Sequence, residues 1–424
     1  MNILILGGGG REHALAWAVL QNPKCDKLIV APGNAGIAGI AECADLDTLD
    51  GDAVAVFCED NSIDFIIVGP EAPLAAGVAD HLRKGGFLVF GPSREAARLE
   101  ASKAFTKEIC DASGAPTAGY ARFTEAGPAK DHVRAQGAPI VVKADGLAAG
   151  KGVIVAMTED EALAAVDDMF GGEFGAAGAE VVIEEFMEGE EASFFVLCDG
   201  TDALPIGTAQ DHKRAHDGDR GPNTGGMGAY SPAPVLTQAL QDQVMERIVR
   251  PTLAEMAKRA MPYEGVLYVG LMIKDGEARL VEYNCRFGDP ETQPIMMRLK
   301  TDLVAACLAV LNGDAGSVTL EWDQRVALGV VLAAGGYPGT YDKGSVIDGL
   351  TAGDETLTRV FHAGTRLDDD RCLTNGGRVL CVVGLGEKVS DAQAAAYRRV
   401  DTIDWQGMFY RRDIGYRAVA RETR

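Results

Sequence analysis

Residues 1–14 read MNILILGGGGREHA, an apolar run that passes directly into four glycines and then into Arg11, Glu12 and His13. A short apolar run predicts a buried strand, and the residues after the glycines predict a helix. A glycine turn between a strand and a helix lets backbone N–H groups approach an anion. The stretch therefore predicts the first strand of a parallel α/β sheet, with a ligand site at the carboxyl end of that strand.

The alternation of strands and helices continues over the first hundred residues. The apolar runs KLIVAP, DFIIVGP and GFLVFGP follow, and a helix is predicted around Leu74–Lys84. Such runs between helices are typical of a parallel sheet covered on both faces. We predict a parallel α/β domain over 1–102, a mixed middle region over 103–325 with a helix near Pro294–Asn312, and a small, separate α+β unit over 326–424.

Composition excludes several classes of protein. The net charge of −22 disfavours nucleic acid and anionic membrane as partners. None of the nine cysteines forms a C-x-x-C pair, so we expect reduced thiols in a cytoplasmic protein rather than disulfides or zinc. No apolar run approaches the roughly 18 residues that a membrane span requires.

The four glycines also suggest a dinucleotide site, which needs an acid about 20 residues further on to bind the ribose. The second strand ends in APGN, up to Asn34, without a carboxylate. A phosphate or phosphosugar site is the better functional interpretation, and a purely structural turn remains the alternative. Glu71 follows another strand at the same sheet edge, where it either accepts hydrogen bonds from sugar hydroxyls or is a surface acid.

Two further clusters suit a nucleotide. Lys143 and Lys151 flank a glycine loop between strands, which can fold over phosphates although it lacks the ending of a Walker A motif. The run VIEEFM, with acids up to Glu191 behind it, suits an adenine edge and a ribose. Solvated lysines on a hairpin and a solvated charge run are the respective structural alternatives.

A third cluster suits a metal ion. Glu282 and Asn284 share one face of a predicted strand, and their oxygens together with phosphate oxygens suit Mg²⁺. Arg286 shares that face if the strand continues, and there it can stabilise a developing phosphoryl charge.

Taken together, these stretches resemble the ATP-grasp ligases and, within them, the phosphoribosylamine–glycine ligase family. The resemblance covers nearly the whole chain. It is carried by GGGGREHALAW, APGNAG, GPEAPLAAG, KADGLAAGKGV, QDHKR, GPNTGGMGAYSP, EYNCRFGDPETQ and NGGRVL. GPNTGGMGAYSP and NCRFGDPETQ are specific to this family, whereas the glycine loops alone are not.

The resemblance implies an N-terminal pre-ATP-grasp domain, a two-part ATP-grasp module with a lid subdomain at about 122–190, and a C-terminal domain. For ATP it implies Lys103, Lys143, Gly150, Lys151, Glu184, Glu185, Phe186 and Glu191, and for Mg²⁺ or Mn²⁺ it implies Glu282 and Asn284. For substrate binding the expected residues are Gly9, Gly10, Arg11, Glu71, Asn223, Thr224, Gly225, Gly226, Met227, Pro290, Glu291, Gly377 and Arg378. Asp211, Lys213 and Arg286 are the expected catalytic residues.

The implied activity joins glycine to 5-phosphoribosylamine through glycyl phosphate, at the expense of ATP, in a cytoplasmic monomer. The loops Leu147–Lys151 and Arg220–Gly228 are expected to act as lids that exclude water. The alternatives are another ATP-grasp ribonucleotide ligase, a dinucleotide oxidoreductase, and a non-catalytic ATP-binding protein. The missing ribose acid and the two-lysine cluster argue against the oxidoreductase. Glu282, Asn284 and Arg286 argue against a non-catalytic protein.

Overall fold

The computed structural model describes residues 1–147, 152–172, 178–351 and 356–422. The chain begins with a five-stranded parallel sheet in the order β3-β2-β1-β4-β5. Its strands are β1 (Asn2–Gly7), β2 (Lys27–Pro32), β3 (Glu42–Cys43), β4 (Phe65–Val68) and β5 (Leu88–Phe90). Because β1 lies beside β4, the glycine loop and the segment that carries Glu71 leave the same edge of the sheet, as the sequence predicts.

Six helices belong to this part of the chain or follow it directly. They are α1 (Gly10–Val19), α2 (Gly51–Asp60), α3 (Glu71–Ala76), α4 (Val78–Lys84), α5 (Arg98–Ala101) and α6 (Lys103–Ser113). The single helix predicted around Leu74–Lys84 is in fact α3 and α4. Gly77 separates them with a left-handed φ of +86°, a conformation that costs glycine little.

The lid subdomain is a four-stranded antiparallel sheet in the order β6-β9-β7-β8. It comprises β6 (Tyr120–Phe123), α7 (Ala126–Gln136), β7 (Ile140–Ala144), β8 (Val153–Ala156), α8 (Glu159–Phe170) and β9 (Val181–Glu185). Its two helices pack on one face around a separate apolar core. Glu184 pairs with Val141, so Glu184 and Lys143 emerge on the same face of this sheet.

An antiparallel sheet of eight strands, in the order β16-β15-β10-β11-β14-β17-β21-β18, forms the rest of the fold. Its strands are β10 (Glu190–Asp199), β11 (Ala203–Asp211), β14 (Gly228–Ser231), β15 (Glu264–Lys274), β16 (Glu277–Asn284), β17 (Val326–Ala333), β18 (Thr358–His362) and β21 (Arg378–Gly386). Two small ribbons accompany it, β12 (Arg214–His216) with β13 (Arg220–Asn223), and β19 (Thr365–Asp368) with β20 (Arg371–Thr374).

The C-terminal strands continue the main sheet. Residues 228–231 of β14 pair with residues 327–330 of β17, so this sheet runs through the boundary predicted at 325. The residues after 325 contribute most of one apolar cluster, through β17, β21 and α13.

Six more helices cover this sheet, namely α9 (Gln238–Val244), α10 (Arg250–Lys258), α11 (Thr292–Arg298), α12 (Leu303–Leu311), α13 (Val389–Val400) and α14 (Tyr416–Glu422). The single helix predicted near Pro294–Asn312 is α11 followed by α12. The Asp302 side chain accepts a hydrogen bond from Ala305 N and starts α12 anew. Within the described ranges, no helix has the length and apolar character needed to cross a bilayer.

Candidate active site

One face of the main sheet collects the polar residues that the sequence singles out. Glu191 on β10 pairs with Met272 on β15. Ser193, two residues further along β10, pairs with Gly270. Gly270 in turn pairs with Glu282 on β16. Directly opposed residues of antiparallel strands share a face, so Glu191, Ser193 and Glu282 lie on one surface.

Lys213 joins this surface through two carboxylates. Its Nζ lies 2.9 Å from Asp211 Oδ2 and 3.7 Å from Glu191 Oε2. Desolvation lowers the pKa of Lys213, but Asp211 and Tyr268 raise it more, and the net shift is strongly upward. The site therefore holds a fixed positive charge between two acids. Desolvation also raises the pKa of Glu191, an effect that Lys213 opposes.

Glu282 and Asn284 fit the chemistry of a divalent cation site. They lie two residues apart on β16, whose last residue is Asn284, and both side chains are half-buried. Among the described residues, no hydrogen bond or ion pair engages either side-chain oxygen, so both are available to a hard cation. No group of three His, Cys, Asp or Glu residues within those ranges forms a closed metal site.

Arg286 lies beyond the end of β16 at Asn284, so the condition under which it would share the face of Glu282 and Asn284, a continuing strand, is not met. Its Nε lies 3.1 Å from Glu71 Oε2, and its Nη2 lies 2.8 Å from Glu100 Oε1. The expected sugar ligand Glu71 and the expected catalytic Arg286 thus bind each other across the junction with the N-terminal sheet. Desolvation raises the pKa of Glu71, but Arg286 and Arg11 together lower it by a larger amount. The net pKa is lowered, so the carboxyl group is held ionised.

The lid contributes a buried charge cluster. Glu184 is 3% exposed and lies 2.9 Å from Lys143 Nζ and 3.3 Å from Lys107 Nζ. Lys143 Nζ also donates to Val281 O at 3.5 Å, next to Glu282. Lys103 Nζ donates to Gly146 O at 3.0 Å, and desolvation lowers the pKa of Lys103. The carboxylate of Glu184 is thus engaged by lysines, and its backbone lies between β6 and β7 in the sheet, paired with Tyr120 and Val141.

The end of β9 opens onto a cavity of about 430 Å³. Phe186 lines it together with Met272 of β15, so the cavity lies between the lid and the main sheet. Glu185 forms an ion pair with Arg279 at its wall and accepts a hydrogen bond from Gly119 N. Of the residues predicted to bind ATP, Gly150 and Lys151 lie outside the described residues.

The glycine loop and the residue after it form hydrogen bonds and an ion pair within the protein. Gly9 N donates to Glu12 Oε2 at 2.7 Å, and Arg11 Nε lies 2.6 Å from Glu12 Oε1. Arg11 Nη1 donates to Phe287 O at 3.0 Å. A side chain at Gly10 would collide with Gln293 Nε2, whose amide donates to Asp289 Oδ1 at 2.9 Å. One N–H expected to face the substrate is therefore already used within the protein.

Arg378 ties the predicted acceptor residues together. Its Nη1 donates to Gly225 O at 2.6 Å and to Asp289 O at 2.7 Å, and its Nη2 lies 3.4 Å from Asp289 Oδ2. Tyr337 Oη accepts a hydrogen bond from Gly225 N at 3.1 Å. A side chain at Gly226 would overlap with Pro290. The Gly225–Gly226 turn, the Asp289–Pro290 turn and the C-terminal strand β21 thus form one pocket wall beside the glycine loop.

Glu291 is buried directly under this wall. Its Oε1 accepts a hydrogen bond from Ser193 Oγ at 3.2 Å, and Ser193 Oγ lies 2.9 Å from Tyr268 Oη. Desolvation and the charge of Asp211 raise the pKa of Glu291 to about 7. A carboxyl group poised near neutral pH is suited to proton transfer.

The remaining predicted residues are placed less directly. The side chain of Met227 is fully buried in the C-terminal core, and its backbone is hydrogen-bonded to His212 O and Val331 N. Asn223 pairs with Arg214 in the β12–β13 ribbon, and Thr224 N and Oγ1 both donate to Lys213 O at 2.8 Å. Gly377 packs against the ring of Tyr337.

The sequence analysis missed four residues of the site, namely Lys107, Asp289, Gln293 and Tyr337. Lys107 follows Lys103 by four residues on α6, a spacing that places both on one helix face and was a usable signal. Tyr337 had no local signal, because only the tertiary fold brings it to Gly225.

Comparison with known proteins assigns the family. Models of the phosphoribosylglycinamide synthetase N domain, ATP-grasp (A) domain and C domain match residues 1–100, 101–292 and 327–417. The chain is 57% identical to phosphoribosylamine–glycine ligases of Vibrio cholerae, over all of this chain and 99% of that one, and of Mesorhizobium japonicum, with the same coverage.

The solved structures agree with these matches. The crystal structure of phosphoribosylamine–glycine ligase from Thermotoga maritima superposes with a TM-score of 0.86 at 33% identity, over 98% of this chain and 100% of that one. A biotin carboxylase domain from Hydrogenobacter thermophilus shares the fold, with a TM-score of 0.73 at 15% identity over 96% and 91% of the two chains. The chain therefore belongs to the phosphoribosylglycinamide synthetase family of ATP-grasp proteins.

Proposed function

We propose that this protein ligates glycine to 5-phosphoribosylamine, forming glycinamide ribonucleotide, ADP and phosphate in purine biosynthesis. The family and the full-length relatives support the reaction. The observation that carries the proposal is that contacts connect the groups of the candidate active site. Lys143 Nζ donates to Val281 O beside Glu282, and Ser193 lies on the same face as Glu282. Ser193 donates to Glu291, which follows the Asp289–Pro290 turn held by Arg378. Residues suited to a nucleotide, a metal ion and an acceptor are thus neighbours.

In the first step, a carboxylate oxygen of glycine attacks the γ-phosphorus of ATP, and ADP leaves. Lys143 and Lys103 are the cations positioned to neutralise the phosphates, and the cavity beside Phe186 holds the adenine. The product of this step is the mixed anhydride glycyl phosphate. The protein contributes mainly positioning and charge neutralisation, as is typical of phosphoryl transfer.

Glu282 and Asn284 would hold Mg²⁺ or Mn²⁺ through oxygen. Such an ion supplies charge neutralisation at the phosphates. Lys143 donates to the backbone of Val281, next to Glu282 on β16, and Lys103 interacts electrostatically with Glu282, so the protein's own cations lie close to the proposed metal ligands.

In the second step, the amine of phosphoribosylamine attacks the carbonyl carbon of glycyl phosphate. The new C–N bond replaces the C–O bond to phosphate, and the nitrogen loses a proton. We assign the acceptance of that proton to Glu291, because its carboxyl is buried, hydrogen-bonded to Ser193 and has a pKa near neutrality. Arg378 and the Gly225–Gly226 turn hold the acceptor side of the pocket.

The test is purified protein with Mg-ATP, glycine and phosphoribosylamine generated in the assay. We expect ADP to form in a 1:1 ratio with glycinamide ribonucleotide, and only when both substrates are present. ADP formation with another carboxylate and none with glycine would refute the substrate assignment. Flavin or nicotinamide absorbance of the purified protein would instead support the oxidoreductase alternative.

The proposal includes a monomer acting in the cytoplasm, without nucleic acid or membrane as partner. The net charge of −22 supports the latter point. Light scattering coupled to gel filtration tests the monomeric state, and a mass near 44.7 kDa is the expected result.

A further inference from the structure

We infer that residues 411–422, here the C-terminal clasp, are a positioning element of the active site that holds the β12–β13 ribbon against it. The inference rests on the proposed function, because its readout is the fate of the acyl phosphate. It assigns a role to a segment that contains none of the predicted site residues.

The β12–β13 ribbon lies between two parts of the active site. It begins directly after Lys213 and ends at Asn223, next to the Thr224–Gly226 turn. Thr224 closes the ribbon by donating to Lys213 O. A two-stranded ribbon is marginally stable by itself, so its position must come from contacts elsewhere.

Arg411 supplies the central contact. Its side chain is fully buried, and its guanidinium lies 2.8 Å from Asp219 Oδ1 in the ribbon and 2.7 Å from Asp413 Oδ1. Arg411 Nη1 also donates to Arg214 O at 3.2 Å. A buried cation is tolerated only while its partners stay in place, so this contact fixes the tip and the base of the ribbon together.

Further contacts surround the ribbon tip. Tyr416 Oη donates to Asp219 Oδ2 at 2.8 Å, and Arg417 Nη2 lies 2.5 Å from the same oxygen. Gly218 N donates to Asp413 Oδ2 at 2.8 Å, and the backbone of Arg412 donates to Asp217 Oδ1 at 2.7 Å. The ribbon tip is thus held from several directions by one short segment.

The clasp also contacts β10, on the face of the sheet opposite to Glu191. Arg421 on α14 forms an ion pair with Glu190, the residue before Glu191 on β10. Gly415 N donates to His212 Nε2 at 3.2 Å, next to Asp211 and Lys213. One element therefore sets the positions of Glu191 and Lys213, which face each other across the site at 3.7 Å.

The expected lid Arg220–Gly228 is accordingly not free to move alone, because its ribbon is tied to the clasp at Asp219. Loosening the clasp should admit water to the glycyl phosphate before the amine attacks. The measurable consequence is uncoupling, in which more phosphate is released than glycinamide ribonucleotide is formed.

The variants are Tyr416→Phe, Arg417→Gln and Asp219→Asn. Asp219 adopts a left-handed φ of 54°, which Asn tolerates, so the last change removes charge without adding strain. The matched control is Arg412→Gln. Its side chain is exposed and stacks on Tyr410, and only its backbone contacts the ribbon. Arg417→Gln and Arg412→Gln remove the same charge from the same segment.

We expect the ratio of phosphate to product to rise about two- to fivefold in the three variants and to stay at the wild-type value in Arg412→Gln. The double variant Arg417→Gln/Asp219→Asn should be no more uncoupled than Asp219→Asn alone, because both changes break the same contact. A ratio of one in all variants, with activity falling only in proportion to the folded fraction, would overturn the inference. Failure of wild-type protein to form product would refute the proposed function instead.

Discussion

Replacing Glu184 by Gln tests the charge cluster of the lid. The change keeps the shape of the side chain but removes the anion that Lys143 and Lys107 share. At an effective dielectric constant of about 20, each contact, at 2.9 and 3.3 Å, is worth about 5–6 kcal/mol of attraction before desolvation is subtracted. Removing one side of a buried ion pair typically lowers the free energy of unfolding by about 3–5 kcal/mol, and we expect a loss in that range.

The pH dependence makes this prediction more specific. Burial lowers the pKa of Lys107 below its ordinary value, and Glu184 opposes that shift. Where the folded-state pKa lies below the unfolded one, the unfolded state binds more protons and stability rises with pH. Without Glu184 the pKa of Lys107 falls further, so the pH range in which stability rises with pH extends to lower pH. The deficit of Glu184→Gln relative to wild type should therefore shrink as the pH is raised from 7 towards 10.

The assay is urea unfolding followed by circular dichroism at pH 7 and pH 9.5. The matched control is Glu185→Gln on the next residue, whose ion pair with Arg279 is exposed. That variant should lose less than about 1 kcal/mol and show no added pH dependence. Equal losses in the two variants, or a deficit in Glu184→Gln that is constant with pH, would show that Glu184 does not hold the lysines.

Four further outcomes are expected. Glu282→Ala should abolish product formation at every Mg²⁺ concentration while leaving the free energy of unfolding within about 0.5 kcal/mol of wild type, since no hydrogen bond or ion pair with a described residue engages its carboxylate; near-normal turnover would refute the metal assignment. Glu291→Gln should remove a limb of the pH–rate profile centred near pH 7, which wild type should show. Gly226→Ala should raise KM for the amine substrate more than KM for ATP, because its φ of +112° and its contact with Pro290 leave no room for a methyl group; equal changes in both KM values would argue against the pocket wall. Burial lowers the pKa of His13 to about 3 from 6.5, so the unfolded state binds its proton first as the pH falls and stability is lost below pH 6.5; His13→Gln should reduce the slope of stability against pH between 6 and 4 by about 1.4 kcal/mol per pH unit, as measured by urea unfolding.

The sequence predicted those features that depend on local pattern. The parallel N-terminal sheet is confirmed. A short, continuous apolar run such as that of β1 is typical of a strand that is buried on both faces of a parallel sheet. The shared face of Glu282 and Asn284 follows from strand alternation alone. The family resemblance, confirmed by the matched models, supplied the reaction.

The features that the sequence did not predict depend on long-range contacts. Whether the strand continues to Arg286 could not be read from the local pattern, and the partners of Arg286, Glu71 and Glu100, lie some 200 residues away in the chain. At the glycine loop, Gly9 N already donates to Glu12 Oε2, a contact that the glycine pattern did not predict. The roles of the individual site residues remain predictions that the proposed variants test.

The pairing of β14 with β17 also bears on how the protein can be taken apart. A chain cut near 325 would leave two unpaired strand edges, each presenting free backbone groups to any other edge in solution. Either fragment alone should therefore aggregate, whereas the two fragments produced together should find each other and restore the sheet. For the same reason, a recombination event that replaced the last hundred residues by those of an unrelated protein would leave β14 without its partner strand.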